Sequence, residues 1–348
     1  MHALSAVFGV ALILFILEEA FETVVLPRRV SRRLRLTRLF YRTTWKAWTR
    51  TVCSLFTGKG KESLLSLYGP LSIFVLLSLW AITLITGFGL LYLGFGHVLK
   101  GGKGGAAGYI YYSGTTFFTL GLGDVVPSAP VSKALTVLEA GTGFGFLAIL
   151  ISYLPALNQY FYRRETPISV LDAHVGSPPT AEGILDRHIV GGDLDVLHQL
   201  LYNWESWSAE VHESHLYYPV LAYFRSQHEY QSWLTALTAI LDTCAFLMSG
   251  IEGTCKCQAE LTFAMAEHTI LDLSDLFDCM PRKPGAERLP RAGLAYLRDM
   301  LSKKGLKLPE VDVLDKRLKE LRARYEPYAE SLSGRFYLAV PPWLKMKN

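Results

Sequence analysis

The sequence predicts an all-α membrane protein, and three observations support that fold class. Of its 348 residues, 50% are hydrophobic and only 19% are charged, a balance that is unusual for one soluble globule. Residues 64–96 and 140–162 contain no Asp, Glu, Lys or Arg, and each run exceeds the roughly 20 residues that span a bilayer as a helix. Signals for β-strands are scarce in the rest of the chain.

The first predicted element is an N-terminal transmembrane helix within residues 1–27. Its uncharged run, residues 3–17, becomes long enough to cross a bilayer if the helix continues to Leu26. No basic segment precedes that run, which disfavours a cleaved signal peptide. Glu18, Glu19 and Glu22 are expected to contact other helices, because Glu18 and Glu22 share one helix face and a carboxylate that faces lipid is costly. The alternative is that the membrane helix ends before this acidic stretch, which then lies in the interface.

Residues 28–69 form a basic segment that is expected to lie on the cytosolic side. Eleven Arg or Lys residues and no acid occur between Arg28 and Lys61, and cytosolic loops carry such an excess of positive charge. Apolar side chains recur there at spacings of three and four, namely Tyr41, Trp45, Trp48, Val52 and Leu55. The pattern is typical of an amphipathic helix on an anionic leaflet, although it also suits packing against the cytosolic half. Orientation already explains the charge, so nucleic-acid binding is not predicted.

Residues 70–162 contain two apolar runs and the segment that joins them. The joining segment, residues 96–130, has few charges and a Gly-rich tip, and it is expected to face outside. Within it, the stretch GYIYYSGTTFF, residues 108–118, has the length of a short helix whose C-terminal end carries a partial negative charge. The chain is therefore expected to cross the membrane, re-enter it from outside and cross it again.

The stretch TLGLG follows this short helix directly. Non-helical backbone is tolerated inside a bilayer only where it is buried in protein or lines a water-filled path. Gly121 and Gly123 permit positive φ, so that successive carbonyl oxygens can point to one side and replace the water shell of a cation. The predicted cation-binding residues are Thr119, Leu120, Gly121, Leu122 and Gly123. One strand cannot surround an ion, so four copies around an axis are expected.

Three side chains are predicted to support this strand. Asp124 follows it at the outer end, where it can accept a hydrogen bond from an aromatic hydroxyl such as that of Tyr112. Glu139 lies in the last membrane helix at the depth of the strand. It is expected to hydrogen-bond to the short helix rather than to face lipid, and a direct role as a charge in the pore cavity is the less favoured alternative.

Residues 109–157 resemble the pore loop and inner helix of the potassium channel superfamily, and the likeness covers residues 70–162. TLGLGD matches the T-x-G-x-G-D filter motif of that family, with Leu120 at its hydrophobic second position and Leu122 at its usually aromatic fourth. The resemblance implies a homotetrameric K⁺ channel with a pore-loop module. Phe118 departs from the family, which usually has a small hydroxyl residue there, so a weakly selective cation channel is the alternative.

The last membrane helix shows a second family-like feature. Its middle contains three alternating glycines, Gly141, Gly143 and Gly145. Inner helices of the family commonly carry a gating glycine in their middle, so the resemblance implies a hinge. The alternative is that these small residues allow close packing between helices.

Residues 163–348 are predicted to form a cytosolic helical domain. Apolar spacing predicts helices at residues 181–188, 194–212, 230–248, 259–277, 294–303 and 309–332. No G-x-G-x-x-G follows a predicted strand, and the sequence has neither a P-loop nor a nucleophile elbow. The sequence of this half therefore identifies no ligand.

Two constellations in this domain contain metal-ligating residue types but are weak signals. His212 and His215 occur in AEVHESH without a partner motif at fixed spacing, so ordinary hydrogen bonding is the better interpretation. Cys255 and Cys257 lack a complementary pair and are expected to be reduced in the cytosol. No metal site apart from K⁺ in the filter is predicted.

These expectations combine into a multi-pass protein of the cell membrane, with its N-terminus outside and its C-terminal domain in the cytosol. It is expected to conduct K⁺ as a homotetramer, to bind anionic lipid along residues 28–61, and to need no cofactor apart from the transported ion. It is not expected to be an enzyme. The alternative from another class is a non-conducting, membrane-anchored sensor or interaction protein.

Overall fold

The computed structural model describes residues 2–24, 36–96, 98–101, 105–226, 231–282, 285 and 287–345. Within these residues the chain contains eleven α-helices, one 3₁₀-helix and a two-stranded sheet, which confirms the predicted all-α class. The chain divides into two compact units, Met1–Asn158 and Gln159–Asn348.

Four helices and the first part of a fifth build the first unit. Their bounds are α1 His2–Val24, α2 Leu36–Leu55, α3 Gly58–Phe95, α4 Ala106–Phe117 and α5 Pro130–Val175. Two short antiparallel strands, β1 Leu99–Lys100 and β2 Val126–Pro127, flank α4 in the sequence. The domain limits expected at residues 70 and 162 fall inside α3 and α5.

Small residues let α1 pack closely on α3. A Cβ added to Gly9 would lie 2.6 Å from the carbonyl oxygen of Gly87, and one added to Gly94 would lie 2.6 Å from the Cβ of Ala6. Close approach through small residues is typical of helix pairs in membranes. The helix does not end before the acidic stretch but continues to Val24.

The acidic stretch of α1 contacts α2 through Glu19, one of the three acids expected to face other helices. Glu19 is buried, and its carboxylate accepts hydrogen bonds from the Thr37 amide at 2.8 Å and the Thr37 hydroxyl at 2.5 Å. Glu19 lies on the same buried face of α1 as Ile16, three residues earlier in the helix. The carboxylate thereby satisfies an amide in the first turn of α2, where negative charge is favourable.

Helix α2 is amphipathic, as the sequence predicts, and its apolar face packs on α3. Tyr41, Trp45 and Val52 are buried, and the ring of Trp45 meets that of Tyr68 edge to face at 4.7 Å. Leu55 is exposed and does not belong to this face. The first part of the basic segment, residues 28–35, lies outside the described residues.

The second unit contains the rest of α5 and six further helices. Their bounds are α6 Ala181–His188, α7 Asp195–Tyr217, α8 Trp233–Gly250, α9 Thr254–Leu276, α10 Arg291–Lys303 and α11 Val311–Phe336. A 3₁₀-helix, Pro219–Tyr223, follows α7. Each predicted helix is present, and α7 and α11 extend beyond their predicted C-terminal ends.

Four of the described helices, α1, α3, α5 and α8, are long and apolar enough to cross a bilayer. Helix α8 differs from the others because its side chains are almost all buried within the protein, and it packs on α9 and α11. A helix that is apolar on every face belongs either to a membrane or to a protein core. The burial of α8 identifies it as the core helix of the second unit and leaves α1, α3 and α5 as the candidate membrane spans among the described helices.

Candidate ion-conduction site

Helix α4 holds the start of the candidate ion path at its C-terminal end. The helix ends at Phe117, and the next amide groups fold back onto its last carbonyls. Thr119 N donates to Thr116 O at 2.9 Å, and Leu120 N donates to Thr115 O at 2.8 Å. These bonds satisfy carbonyls that a helix end leaves without partners. They also place the first residue of TLGLG beside the partially negative end of the helix.

The backbone from Thr119 to Gly123 alternates in handedness. The φ angle is 56° at Thr119, 56° at Gly121 and 78° at Gly123, whereas Leu120 and Leu122 do not have positive φ. Positive φ is expected from the sequence at the two glycines and is present at both. At Thr119 it was not expected, because the left-handed region costs a residue with a Cβ about 1–2 kcal/mol. The hydrogen bonds to α4 hold this residue in its strained conformation.

This alternation determines what the strand can do chemically. Residues of opposite handedness in succession turn their carbonyl oxygens towards one side, and rows of carbonyl oxygens replace the hydration shell of a cation. Leu120 and Leu122 are 61% and 62% exposed. Among the described residues, nothing lies within 4 Å of a Cβ placed on Gly121 or Gly123. In one chain the strand is therefore open to an ion and to further copies.

Asp124 is held by an aromatic hydroxyl, but the donor is Tyr111 and not the expected Tyr112. The Tyr111 hydroxyl donates to Asp124 Oδ2 at 2.9 Å. Tyr112, one residue further around α4, points elsewhere, since its hydroxyl lies 2.6 Å from Thr136 Oγ1 and its ring packs edge to face on Tyr92. The identity of the donor depends on the rotation of α4, which packing against α3 and α5 determines.

Glu139 is fully buried at the centre of a polar network that joins α3, α4 and α5. The Tyr92 hydroxyl of α3 donates to Glu139 Oε2 at 2.9 Å, and the Ser113 hydroxyl of α4 donates to Glu139 Oε1. Ser113 also lies 2.7 Å from the carbonyl oxygen of Ile85. Glu139 thus makes the contact with the short helix that the sequence analysis expects. Sequence reasoning missed Tyr92 and Ser113, whose signal is a hydroxyl inside an apolar segment near a buried acid.

The three glycines of α5 have different surroundings. A Cβ added to Gly143 would lie 1.9 Å from the carbonyl oxygen of Phe117, at the end of α4. Among the described residues nothing lies within 4 Å of the corresponding positions at Gly141 and Gly145. Gly143 is therefore a close-packing residue, and α5 is continuous through all three glycines. Gly141 and Gly145 have the space that a hinge requires.

Comparison with known proteins identifies this region. Residues 73–159 match the family model described as "Ion channel". The chain is 29% identical over 205 residues to the uncharacterized membrane protein YdjJ of Bacillus subtilis (strain 168), an alignment that covers 56% of this chain and 57% of that protein. No solved structure matches the chain. Residues 73–159 therefore form a pore-loop ion-channel module, and the match includes α4, the TLGLG strand and the membrane part of α5.

Proposed function

We propose that four copies of this chain assemble around the ion-channel module to form a K⁺-selective channel, with one Thr119–Gly123 strand from each copy lining the filter. The alternating φ angles of these residues carry the proposal. With these φ angles, a short stretch of backbone presents consecutive carbonyl oxygens to one side. Four such strands around an axis would enclose a dehydrated cation in stacked oxygen cages, with the Thr119 hydroxyls as the innermost ring.

The apolar surface of the strand supports assembly. Leu120 and Leu122 alternate with the positive-φ residues, and both are more than half exposed in one chain. Exposed leucines beside a water-filled path would be unfavourable unless neighbouring copies cover them. The strand thus has two faces with different partners, an oxygen face for the ion and a leucine face for protein.

For selectivity between K⁺ and Na⁺, the structure also supports an alternative to the proposal. Phe118, immediately before the filter threonine, is 46% exposed and meets the ring of Phe117 edge to face at 5.4 Å. In the family that this module resembles, the positions of Phe118 and Leu122 usually hold a small hydroxyl residue and an aromatic residue. The bulky ring of Phe118 and the side chain of Leu122 therefore support the strand differently. A weakly selective cation channel is therefore the second candidate.

We propose further that α2 lies on the cytosolic side and binds anionic lipid. Its apolar face packs on α3, while Arg42, Lys46 and Arg50 are exposed on the opposite face. Each exposed basic residue near an anionic leaflet contributes about 1 kcal/mol of attraction. This orientation places the N-terminus outside and the second unit in the cytosol. Transport through the filter needs no cofactor apart from the permeating ion.

Ion flux in proteoliposomes tests conduction. Purified full-length protein, reconstituted into vesicles loaded with K⁺, should release K⁺ when the opposing charge movement is supplied by a proton ionophore. Vesicles without protein provide the background. Tetramers that insert correctly and release no K⁺ above background under any applied voltage would favour the alternative of a non-conducting sensor or interaction protein.

A further inference from the structure

A cluster of three metal-ligating side chains lies in the second unit, on two helices packed side by side. His212 belongs to α7, whereas His268 and Asp272 belong to α9. One ligand atom from each residue lies within 4.8 Å of the other two. The Nε2 atom of His212 is 2.9 Å from Asp272 Oδ2, and the Nε2 atom of His268 is 3.7 Å from the same oxygen. The two imidazole rings are tilted against each other at 4.8 Å between centroids.

The helices beneath this cluster are fixed in register. Thr262 Oγ1 donates to Leu201 O at 3.0 Å, and Thr269 Oγ1 donates to Ser208 O at 3.1 Å, so two side chains of α9 bond to the backbone of α7. His268 and Asp272 are four residues apart and share one face of α9. The two helices that hold the three ligand groups are therefore fixed relative to each other.

We infer that His212, His268 and Asp272 bind a divalent transition-metal ion of the Zn²⁺ class, which would join α7 to α9. Ligand atoms at about 2.0–2.2 Å from zinc in a tetrahedron are separated by about 3.3–3.6 Å. Two of the three separations, 2.9 Å and 3.7 Å, are close to this range, and the third is no more than 4.8 Å.

The donor set determines the kind of metal. Two imidazole nitrogens and one carboxylate oxygen suit Zn²⁺ and its neighbours in the first transition row, whereas Mg²⁺ and Ca²⁺ prefer sites made of oxygen atoms alone. Three protein ligands leave a fourth position for water or another ligand. The Glu213 carboxylate lies 3.6 Å from Nδ1 of His212, beyond hydrogen-bond distance, and its negative charge favours a cation at the cluster.

His215, the second histidine of the motif AEVHESH, does not belong to this cluster. His215 is fully buried, its Nδ1 is 2.7 Å from the carbonyl oxygen of Val211, and its Nε2 is 3.3 Å from the Arg164 guanidinium. Burial, assisted by the nearby charge of Arg164, lowers the pKa of His215 to about 3. Both ring nitrogens of His215 are occupied, so the partner of His212 comes from α9 instead.

Metal binding by the full-length protein in detergent tests this inference. The protein, stripped with a chelator and carrying Cys257→Ser to remove an exposed thiol, is titrated with Zn²⁺ by calorimetry and with Co²⁺ by absorption spectroscopy. We expect one ion per chain, a Co²⁺ spectrum without thiolate charge transfer, and a higher thermal unfolding temperature in the presence of Zn²⁺. His268→Ala and Asp272→Asn should each weaken binding by at least about tenfold.

A matched control separates this cluster from ordinary surface ligands. Glu210→Gln changes an exposed acid on α7, outside the cluster, and should leave the affinity and stoichiometry unchanged. His268 is itself largely exposed, so His268→Ala is expected to fold. Absence of binding at micromolar Zn²⁺, or equal affinity in the parent, His268→Ala and Asp272→Asn proteins, would overturn the inference. Neither result depends on whether the protein conducts ions.

Discussion

At the residue scale, Gly121 holds the backbone in a conformation that side chains resist. Its φ is 56°, and no described atom lies within 4 Å of an added Cβ, so conformation rather than crowding would penalise a side chain in one chain. The left-handed region costs about 1–2 kcal/mol for an L-residue, and a tetramer would contain four copies of that cost at its narrowest point. We expect Gly121→Ala to abolish selective conduction in assembled tetramers.

Thr119→Ala is the matched substitution. Thr119 already adopts φ of 56°, so alanine adds no new backbone strain and removes only the hydroxyl group. We expect weaker or altered K⁺ preference without loss of assembly. Flux rates and K⁺ preference over Na⁺, measured for both variants in proteoliposomes, compare the two effects. If both variants matched the parent protein in rate and preference, the assignment of TLGLG as a filter would be wrong.

Gly143 supports a second prediction, which concerns packing. Its Cα approaches the Phe117 carbonyl so closely that a methyl group would lie 1.9 Å from the oxygen, and backbone on both sides would have to move. We expect Gly143→Ala to lower the thermal unfolding temperature by several degrees, since overpacking of this kind costs about 1–3 kcal/mol.

Gly141→Ala provides the comparison for this substitution. Alanine meets no described atom within 4 Å there and is a better helix former than glycine by about 1 kcal/mol. Its unfolding temperature in detergent should equal or exceed that of the parent. Equal stability of Gly143→Ala and Gly141→Ala would contradict the close contact between α5 and α4.

Local rules predict some of the site residues and miss others for identifiable reasons. Positive φ at Gly121 and Gly123 follows from the conformational freedom of single residues. The cost of a buried carboxylate is enough to predict that Glu139 contacts protein. Tyr111, and not the expected Tyr112, donates to Asp124 because of the rotation of α4 about its axis. Contacts with distant parts of the chain determine this rotation, so the neighbouring residues do not predict it.

At the element scale, the C-terminal part of α5 is anchored by Arg164. This side chain is buried, forms an ion pair with Glu165 at 2.8 Å, and donates to the carbonyl oxygens of Leu221 and Phe224, both at 2.8 Å. Arg163 and Arg164 are adjacent basic residues that follow the last apolar run, and basic residues at the end of a membrane span are typical of its cytosolic side. In the structure Arg163 is exposed, whereas Arg164 is buried.

Substitution of the two arginines should separate these roles. Arg164→Ala leaves two carbonyl groups without their donor and removes a buried ion pair, which typically costs about 3–5 kcal/mol. We expect it to lower the unfolding temperature of the full-length protein in detergent strongly, while Arg163→Ala changes it little. A similar small change in both variants would show that the contacts of Arg164 with Leu221 and Phe224 do not anchor the C-terminal part of α5.

The sequence predicts the positions of the helices better than it predicts which helices pack against each other. Apolar periodicity identified α2 and the helices of the second unit, because a buried stripe recurs with the period of the helix. It did not reveal that α2 packs on α3, nor that Glu19 meets the first turn of α2. These contacts depend on which elements meet in space.

At the scale of the whole molecule, the two units differ in how much their sequences reveal. In the first unit the bilayer leaves few solutions, so uncharged runs and one irregular glycine-containing strand identify the spans and the candidate filter. In the second unit the cluster of His212 and His268 joins residues far apart in the sequence. Such a pairing depends on the packing of α7 on α9 and has no local signature.

The reversal potential of purified channels tests the central claim most directly. Full-length protein in a planar bilayer, with mainly K⁺ on one side and mainly Na⁺ on the other at equal ionic strength, should pass current that reverses near the K⁺ equilibrium potential. This is the result expected if the carbonyl oxygens of the Thr119–Gly123 strand replace the hydration shell of K⁺ but not that of Na⁺. Current that reverses near zero voltage would contradict K⁺ selectivity and establish a weakly selective cation channel.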